Sequence, residues 1–327
     1  MPNDQQVTVS GEDVLLSELE RLRHELLAHC YRMMGSVHEA EDMVQETSLR
    51  AWKGYATFDG RASVRVWLYR IATNACLTAL RQRGRRFLPS GLGAPSDDPD
   101  APVQMFDSAV GMLQPIPQAL LDPATIVGSR ETLRLGVIAS LQHLPVSQRA
   151  VLLLRDVLSF SAAETAEILS TTTTAVKSSL QRARGKIAEV TPQLDDIAEP
   201  EDPAYGELLD RYIAAIEMSD AAALAEVLRD DATLQAAGTS TWFSGKKTCL
   251  PYLVNHVLGA PGGWRMLPTA ANAQPAAAGY RRQDDGSYAA YGLVVLDLTV
   301  TGIRGITSFP APDLVTRCGL PLVLEVV

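Results

Sequence analysis

Residues 161–187, SAAETAEILSTTTTAVKSSLQRARGKI, are the stretch from which the fold of this chain can be read. Ser161 and Glu164 stand at capping-box spacing: the serine hydroxyl accepts from the Glu164 amide while the carboxylate reaches back. Ala162, Ala166 and Leu169 follow at i, i+4 and i+7, one apolar stripe. Ser170–Thr172 reads as a turn, with Thr172 as the N-cap of a second helix. There Val176, Leu180, Ala183 and Ile187 form the inward stripe, which turns Thr174, Lys177, Ser178, Gln181 and Arg182 outward at about 100° per residue. Two short helices, the second polar and basic on its free face, make a helix-turn-helix whose second helix fits the DNA major groove. A surface helix pair of a bundle, decorated with ordinary Lys and Arg, carries the same pattern, so the segment alone leaves both readings open.

Upstream, residues 12–86 are rich in helix formers. Leu22, Leu26, Cys30 and Met33 stripe one helix, and Ala40, Val44, Thr47 and Ala51 a second. Val64, Trp67, Ile71 and Ala75 stripe a third, which predicts Trp67 as core. The second helix exposes Asp42, Gln45, Glu46 and Arg50, a face suited to a protein partner or simply to solvent. The third ends in RQRGRR (81–86), four arginines and no acid, where cations also favour a helix C-terminus.

The net charge of −9 speaks against nucleic acid only until its distribution is read. Residues 131–192 carry seven basic and five acidic side chains, whereas 193–204 carry five acids and no base. Binding to a polyanion depends on local basic patches, because only charges near phosphates release counterions. The stretch 87–128 is dense in Pro, Gly and Asp and predicts an extended, mobile, acidic linker; 191–203 predicts a second acidic linker. Domains are thus expected at 12–86, 129–190 and 204–327.

Beyond residue 204 the pattern changes. Two helical stretches, Tyr205–Met218 and Ala221–Leu228, precede alternating segments such as Ser287–Thr299, where Tyr288, Ala290, Gly292, Val294, Leu296 and Leu298 share a face. This predicts an α+β domain without internal repeats. Asp231 reads as a turn residue after a helix, and His256, on a Leu250–Leu258 helix, as a structural histidine. The apolar tail GLPLVLEVV packs on this domain or covers an interface.

Other classes are excluded. No apolar run approaches the ~20 residues that span a bilayer, and MPNDQQVTVSGED lacks the segments of a signal peptide, so a cytoplasmic protein without a membrane partner is expected. Cys30, Cys76, Cys249 and Cys318 lie far apart with no CxxC or His-x3-His partner, which predicts neither disulfide nor zinc, and no cofactor is implied.

Three motifs in order, AEDMVQETSLRAW (40–52), VRVWLYRIATNACLTALRQR (64–83) and LPVSQRAVLLLRDVLSFSAAETAEIL…AVKSSLQRARGKI (144–187), resemble the extracytoplasmic-function class of bacterial RNA polymerase sigma factors across residues about 20–190. The resemblance implies two all-α domains, sigma region 2 and sigma region 4. It implies that Asp42, Gln45 and Glu46 dock on the β′ clamp helices of core RNA polymerase. It places the −10 promoter element against Phe58–Asn74, with Arg61, Arg70 and Asn74 as contacts, and duplex phosphates against Arg81, Arg83, Arg85 and Arg86. The second helix of the helix-turn-helix reads the −35 element, region 4 meets the β flap, and the acidic linker threads polymerase channels that otherwise hold RNA. Ser170 departs from the family, which usually has glycine in that turn; a left-handed serine there costs about 1 kcal/mol.

The C-terminal segment resembles SnoaL-like domains of the nuclear-transport-factor-2-like superfamily, α+β cones with a central pocket. Tyr212, Trp242, His256, Asn272, Gln274 and Tyr291 are the pocket candidates. In some sigma factors such a domain regulates the chain it belongs to, in place of or beside an anti-sigma factor, and its pocket leaves room for a small-molecule ligand. No Asp/His pair at a diagnostic spacing stands out, which argues against catalysis. Two alternatives remain at this stage: a one-component regulator sensing a small molecule, or a SnoaL-like enzyme fused to a DNA-binding region.

Overall fold

The computed structural model describes residues 11–81, 85–106, 111–190 and 203–325. The chain opens with α1 (Gly11–Met34), α2 (Val37–Gly54) and α3 (Val64–Arg81). Strands β1 (Arg86–Phe87) and β2 (Gly111–Met112) and helices α4 (Pro123–Leu133) and α5 (Leu135–Gln142) follow. Next come α6 (Val146–Leu152), continued by a wider π turn over Leu153–Val157, then α7 (Ala162–Ile168) and α8 (Thr173–Val190). The last part holds α9 (Pro203–Glu217), α10 (Ala221–Val227), β3 (Leu228–Ala236), β4 (Trp242–Ser244) and α11 (Lys246–Tyr252). It ends with β5 (Trp264–Ala271), β6 (Gln274–Arg282), β7 (Tyr288–Thr299), β8 (Gly302–Phe309), α12 (Pro312–Arg317) and β9 (Val323–Leu324). Two compact units result: Met1–Arg83 with Leu144–Ala188, and Gly84–His143 with Glu189–Val327.

In the helical unit, α1 buries Leu22, Leu26, Cys30 and Met33, and α2 buries Ala40, Thr47 and Ala51, as their stripes predict. Helix α3 turns a shifted face inward: Val66, Leu68, Tyr69, Ala72, Thr73 and Cys76 are buried, and of the expected stripe Ala75 is buried while Val64, Trp67 and Ile71 are only partly covered. Its sequence is apolar nearly all round, so periodicity alone does not choose the face. The polar groups choose it, with the Tyr69 hydroxyl 3.3 Å from Glu25 and Thr73 3.0 Å from His29 on α1.

The two sequence segments of this unit are pinned together by cations. Arg149 of α6, 1% exposed, donates to the carbonyls of Met33 and Leu144. The partly exposed Arg65 guanidinium lies 4.5 Å over the Phe160 ring and 5.1 Å over Tyr69, a pair of cation–π contacts.

His29 is fully buried against Tyr69, and burial, with Arg32 nearby, pushes its pKa down to about 3. The unfolded chain therefore binds a proton near pH 6.5 that the folded chain refuses, and stability is lost as pH falls from there toward 3. Denaturant titrations should show His29 removing about 2 kcal/mol between pH 7 and 5, at 1.4 kcal/mol per unit. His29→Gln, which retains a partner for Thr73, should lack that slope; an unchanged slope would place the acid sensitivity elsewhere.

The second unit is a seven-stranded sheet of order β4-β3-β8-β7-β6-β5, with β9 added to β7; β3 and β8 run parallel and the other neighbours antiparallel. Leu234, Leu296, Leu298 and Ile306 face a core closed by Tyr205, Leu209, Tyr212 and Ile216 of α9 and Leu224 and Val227 of α10. The neighbouring strand positions, Thr233, Gln235, Asp297 and Thr307, point to the opposite face. The apolar tail is settled on this sheet: Leu324 pairs with Tyr288, and the Tyr280 hydroxyl donates to Pro321. Asp231 lies on β3, not in a turn, and takes two bonds from Arg229.

The expected free linker is instead strapped to this sheet. Ser96 N–H donates to Trp242 O (2.7 Å), Phe106 N–H to Gly238 O (2.8 Å), and Ser240 N–H to Gln104 O (2.9 Å). Ser90 N–H donates to the Gln235 side chain, and Ile116 N–H to that of Asn272. A Pro-rich segment has few backbone partners of its own, and the C-terminal unit supplies them. With it go α4 and α5, so this unit begins near residue 84, rather than at 204 as the composition suggested. Among the described residues no helix is long and apolar enough to cross a membrane.

Candidate functional site

The helix-turn-helix forms from its local sequence. Ser161 Oγ accepts from Glu164 N–H (3.1 Å) and the Glu164 carboxylate accepts from Ser161 N–H (2.7 Å), both halves of the capping box. Ser170 takes φ +51°, the left-handed geometry expected of the turn. Thr172 Oγ1 then caps α8 by accepting from Ala175 N–H (3.1 Å). Val176, Leu180 and Ala183 are buried, and Thr174, Lys177, Ser178, Gln181 and Arg182 are all exposed on the opposite face. Ser178 spends its hydroxyl proton on Thr174 O, which leaves Gln181, Lys177 and Arg182 as the long donors of that face. Arg184 is held elsewhere, by two bonds to Asp156 (2.7 and 2.8 Å) that fix α8 to the π turn at the end of α6.

On α2, Asp42 and Gln45 are exposed, and Glu46 accepts from Arg50 at 2.6 Å. On α3, Trp67, Arg70 and Asn74 stand at i, i+3 and i+7 and share one side. The periodicity assigned Trp67 to the core. It is instead half-buried in an aromatic cluster, 4.9 Å from Phe58 and 6.2 Å from Tyr55. Phe58 sits after a 3-10 turn, outside any helical period, so only its composition could have signalled the cluster. Such rings beside cationic and amide side chains can receive unstacked bases.

Arg61 is exposed and paired with Asp59 at 2.6 Å; the Arg61 backbone N–H and guanidinium hold the Asp59 carboxyl below its usual pKa. Arg81 and Arg85 are exposed. Arg86 belongs to the second unit, where it lies on β1 and donates to Met112 O (2.8 Å). Arg83 lies outside the described residues.

Two cavities of the second unit lie on opposite faces of its sheet. The inner one, about 170 Å³, is lined by Tyr212, Phe243, Tyr252, His256, Trp264 and Tyr291 among others. Three of the pocket candidates, Tyr212, His256 and Tyr291, meet there. Burial pushes the Tyr212 phenol up, which keeps it neutral. Linker residues reach its rim: Val103 lines it, and Asp100 accepts from Asn255 (2.9 Å) and meets His256 Nε2 at 3.1 Å. That Asp–His pair spans 156 positions, too far apart for spacing to reveal.

Trp242, Gln274 and Asn272 do not line the inner cavity. Trp242 donates its indole N–H to Gly93 O (2.9 Å). Gln274 accepts from Leu135 N–H and donates to Leu296 O, and Asn272 holds Ile116 and Leu133. All three fasten the linker and the helices after it, because their amide and indole groups satisfy a backbone that lies across the sheet. The outer cavity, about 270 Å³, lies between this fastened segment and the outer face of the sheet.

Known proteins similar to this chain fall in one family. The sequence models of Sigma-70 region 2 and Sigma-70, region 4 match residues 19–86 and 134–187. The ECF RNA polymerase sigma factor SigG of Mycobacterium tuberculosis is 46% identical over 92% of this chain and 82% of its own length. SigJ of the same species is 32% identical over 67% of this chain and 63% of its own length. The crystal structure of M. tuberculosis SigJ shares the fold at a TM-score of 0.62 and 23% identity, covering 94% of this chain and 99% of that one. The C-terminal α+β unit is thus part of a shared architecture, and the chain belongs to the extracytoplasmic-function family of RNA polymerase sigma factors.

Proposed function

We propose that this protein joins core RNA polymerase in the cytoplasm and starts transcription at promoters read by two separate faces, with the C-terminal unit adjusting its activity. The observation that carries the reading is the exposure, on one chain in family order, of an acidic–amide face on α2, an aromatic–cationic face on α3 and a basic face on α8. Asp42, Gln45 and Glu46 dock on the β′ clamp helices. Asn74, Arg70 and Arg61 contact the −10 element, Trp67 and Phe58 stack on its opened bases, and Arg81, Arg83 and Arg85 hold flanking phosphates. Helix α8 lies in the −35 major groove, near the β flap.

Magnitudes bear on how this is regulated. The two promoter elements are about 25 base pairs apart, on the order of 85 Å of duplex at 3.4 Å per pair. A compact unit of this size has a radius of gyration of about 14 Å and spans roughly 36 Å. Both faces therefore reach one promoter only after the Arg149 and Arg65 contacts separate, and the fastened unit is a closed form. An anti-sigma factor could hold the same closure; a ligand in the inner cavity could alter the hold on Asp100. Catalysis is not part of this reading: His256 is tied to Asp100, and no carboxylate is among the inner cavity's described lining residues.

Run-off transcription with bacterial core polymerase and a promoter library tests the proposal. Initiation from a defined subset of promoters is expected. No initiation, even after removal of residues 204–327, would leave a one-component regulator as the better reading.

A further inference from the structure

The inner cavity has an axis. Its closed end is marked by Tyr212 of α9, which is 2% exposed, and its mouth by Arg281 of β6 and Tyr291 of β7, both exposed. Between them the wall is aromatic. Phe243 and Tyr252 lie 4.4 Å apart with their planes tilted by 32°, and Trp264 and Tyr291 meet at 5.2 Å and 88°. Ring pairs in these orientations offer both faces and edges to a flat occupant. The Trp264 indole N–H is spent on Val257 O, so this ring contributes a surface and no donor.

Two polar groups along this axis have no use inside the protein. No described residue hydrogen-bonds the Tyr212 hydroxyl, although burial keeps the phenol neutral and its proton available. A buried hydroxyl without a partner carries its full desolvation penalty, which an acceptor on an occupant relieves. Arg281 stands over the Trp264 ring at 4.7 Å and makes neither a side-chain hydrogen bond nor an ion pair with any described residue. Stacking occupies the face of a guanidinium and leaves its N–H edge free. Arg281 is the one arginine among the described lining residues, which include no carboxylate. Asp100, at the rim, is held by Asn255 and His256.

We propose that the inner cavity binds a single-ring aromatic carboxylate, its ring inward and its carboxylate at Arg281. This deepens, and rests on, the reading that a ligand in this cavity acts on the strap. An apolar cavity of about 150 Å³ takes one benzene ring. At about 170 Å³, this one has room for a ring with small substituents and little more. A guanidinium edge pairs with both oxygens of a carboxylate in one plane. Aromatic walls alone would suit a quaternary ammonium equally well, but a cation at the mouth and no carboxylate in the lining favour an anion. An acceptor on the far side of the ring, such as a hydroxyl, meets Tyr212. Val103 of the strap lines the same cavity, so an occupant holds the segment around it more firmly.

The experiment is isothermal titration of the full-length protein at constant ionic strength with benzoate, para-hydroxybenzoate, benzamide, cyclohexanecarboxylate and benzyltrimethylammonium. Saturable binding of both aromatic acids is expected, with benzamide weaker by about tenfold or more for the loss of a charge-assisted pair. Cyclohexanecarboxylate should be weaker by roughly threefold to tenfold for the loss of ring contacts. Arg281→Gln should abolish the preference for benzoate over benzamide while benzamide binding stays the same, an outcome that general damage to the pocket does not give. Tyr212→Phe should abolish the advantage of para-hydroxybenzoate over benzoate. Thermal melting identifies a variant that has not folded, in which case the wild-type series decides. Absence of saturable binding, equal affinity for benzamide, tighter binding of the ammonium, or a benzoate preference that survives in folded Arg281→Gln would overturn the site. Benzoate should also slow hydrogen exchange of the wild-type protein in residues 96–106. Saturable binding without that slowing would support the site and overturn its action on the strap. Polymerase takes no part in these measurements, so failure here is separate from failure of the initiation reading.

Discussion

Replacing Lys177 and Arg182 together by alanine should lower promoter-specific run-off transcription by about a hundredfold, at about 1–3 kcal/mol for each lost contact to a base or phosphate. Core-polymerase binding should not change. Both side chains are exposed and neither supports the core stripe of Val176, Leu180 and Ala183. Alanine is the best helix former, so α8 itself persists. Salt separates the two roles a cation can play. A lost phosphate contact lowers the slope of log affinity against log salt by about 1, and a lost base contact relaxes sequence preference instead. Loss of polymerase binding would show that this face meets protein, and unchanged transcription would remove α8 from the −35 element.

This face was legible because everything that orients it is local. A capping box, a turn and a second cap lie within fifteen residues, and the stripe that fixes the rotation of α8 is unambiguous. Helix α3 shows the opposite case. VRVWLYRIATNACLTAL is apolar on most sides, so its rotation is set by His29 and Glu25 on α1, more than forty residues away, and periodicity alone places Trp67 too deep. The aromatic cluster is hidden for a second reason, since Phe58 lies outside any helical period.

The second unit hid its organisation more thoroughly. Strand β7 reads YAAYGLVVLDLT, and Leu293 and Val295 are buried as fully as Leu296, because the outer face of the sheet is covered too. The cover is the segment that composition marks as a mobile linker. Pro, Gly and Asp predict a chain that lacks secondary structure, which is true of most of 87–120. Lack of secondary structure does not make a segment free when another element supplies its hydrogen bonds. Polar and aromatic side chains in a cone suggest a ligand, so from the sequence Gln274, Trp242 and Asn272 read as pocket residues. What they bind is the chain's own backbone.

Asn272→Ala should release that backbone, with the second of the largest effects expected here. Asn272 is 1% exposed at φ +56° in the turn between β5 and β6. Its side chain accepts from Ile116 N–H (3.0 Å) and donates to Leu133 O (2.7 Å), while its own N–H bonds Ile116 O (2.9 Å). Truncation orphans two buried groups at about 1–3 kcal/mol each. A left-handed alanine adds about 1 kcal/mol more, since asparagine tolerates that geometry better. The total, about 3–7 kcal/mol, rivals the whole stability of a marginal domain, about 5–15 kcal/mol. The strap has an easier route than global unfolding, because its hold on the sheet is concentrated in a few side chains. Hydrogen exchange should therefore accelerate by a factor of a hundred or more in residues 113–142 and stay unchanged in β6, β7 and β8, at 1.4 kcal/mol per tenfold. Asn272→Gly divides the cost: it loses the same two bonds but not the backbone strain, and should recover about 1 kcal/mol. Uniform acceleration through the sheet would mean that the strap is part of the fold itself. No change in 113–142 would mean that Asn272 is not its fastening.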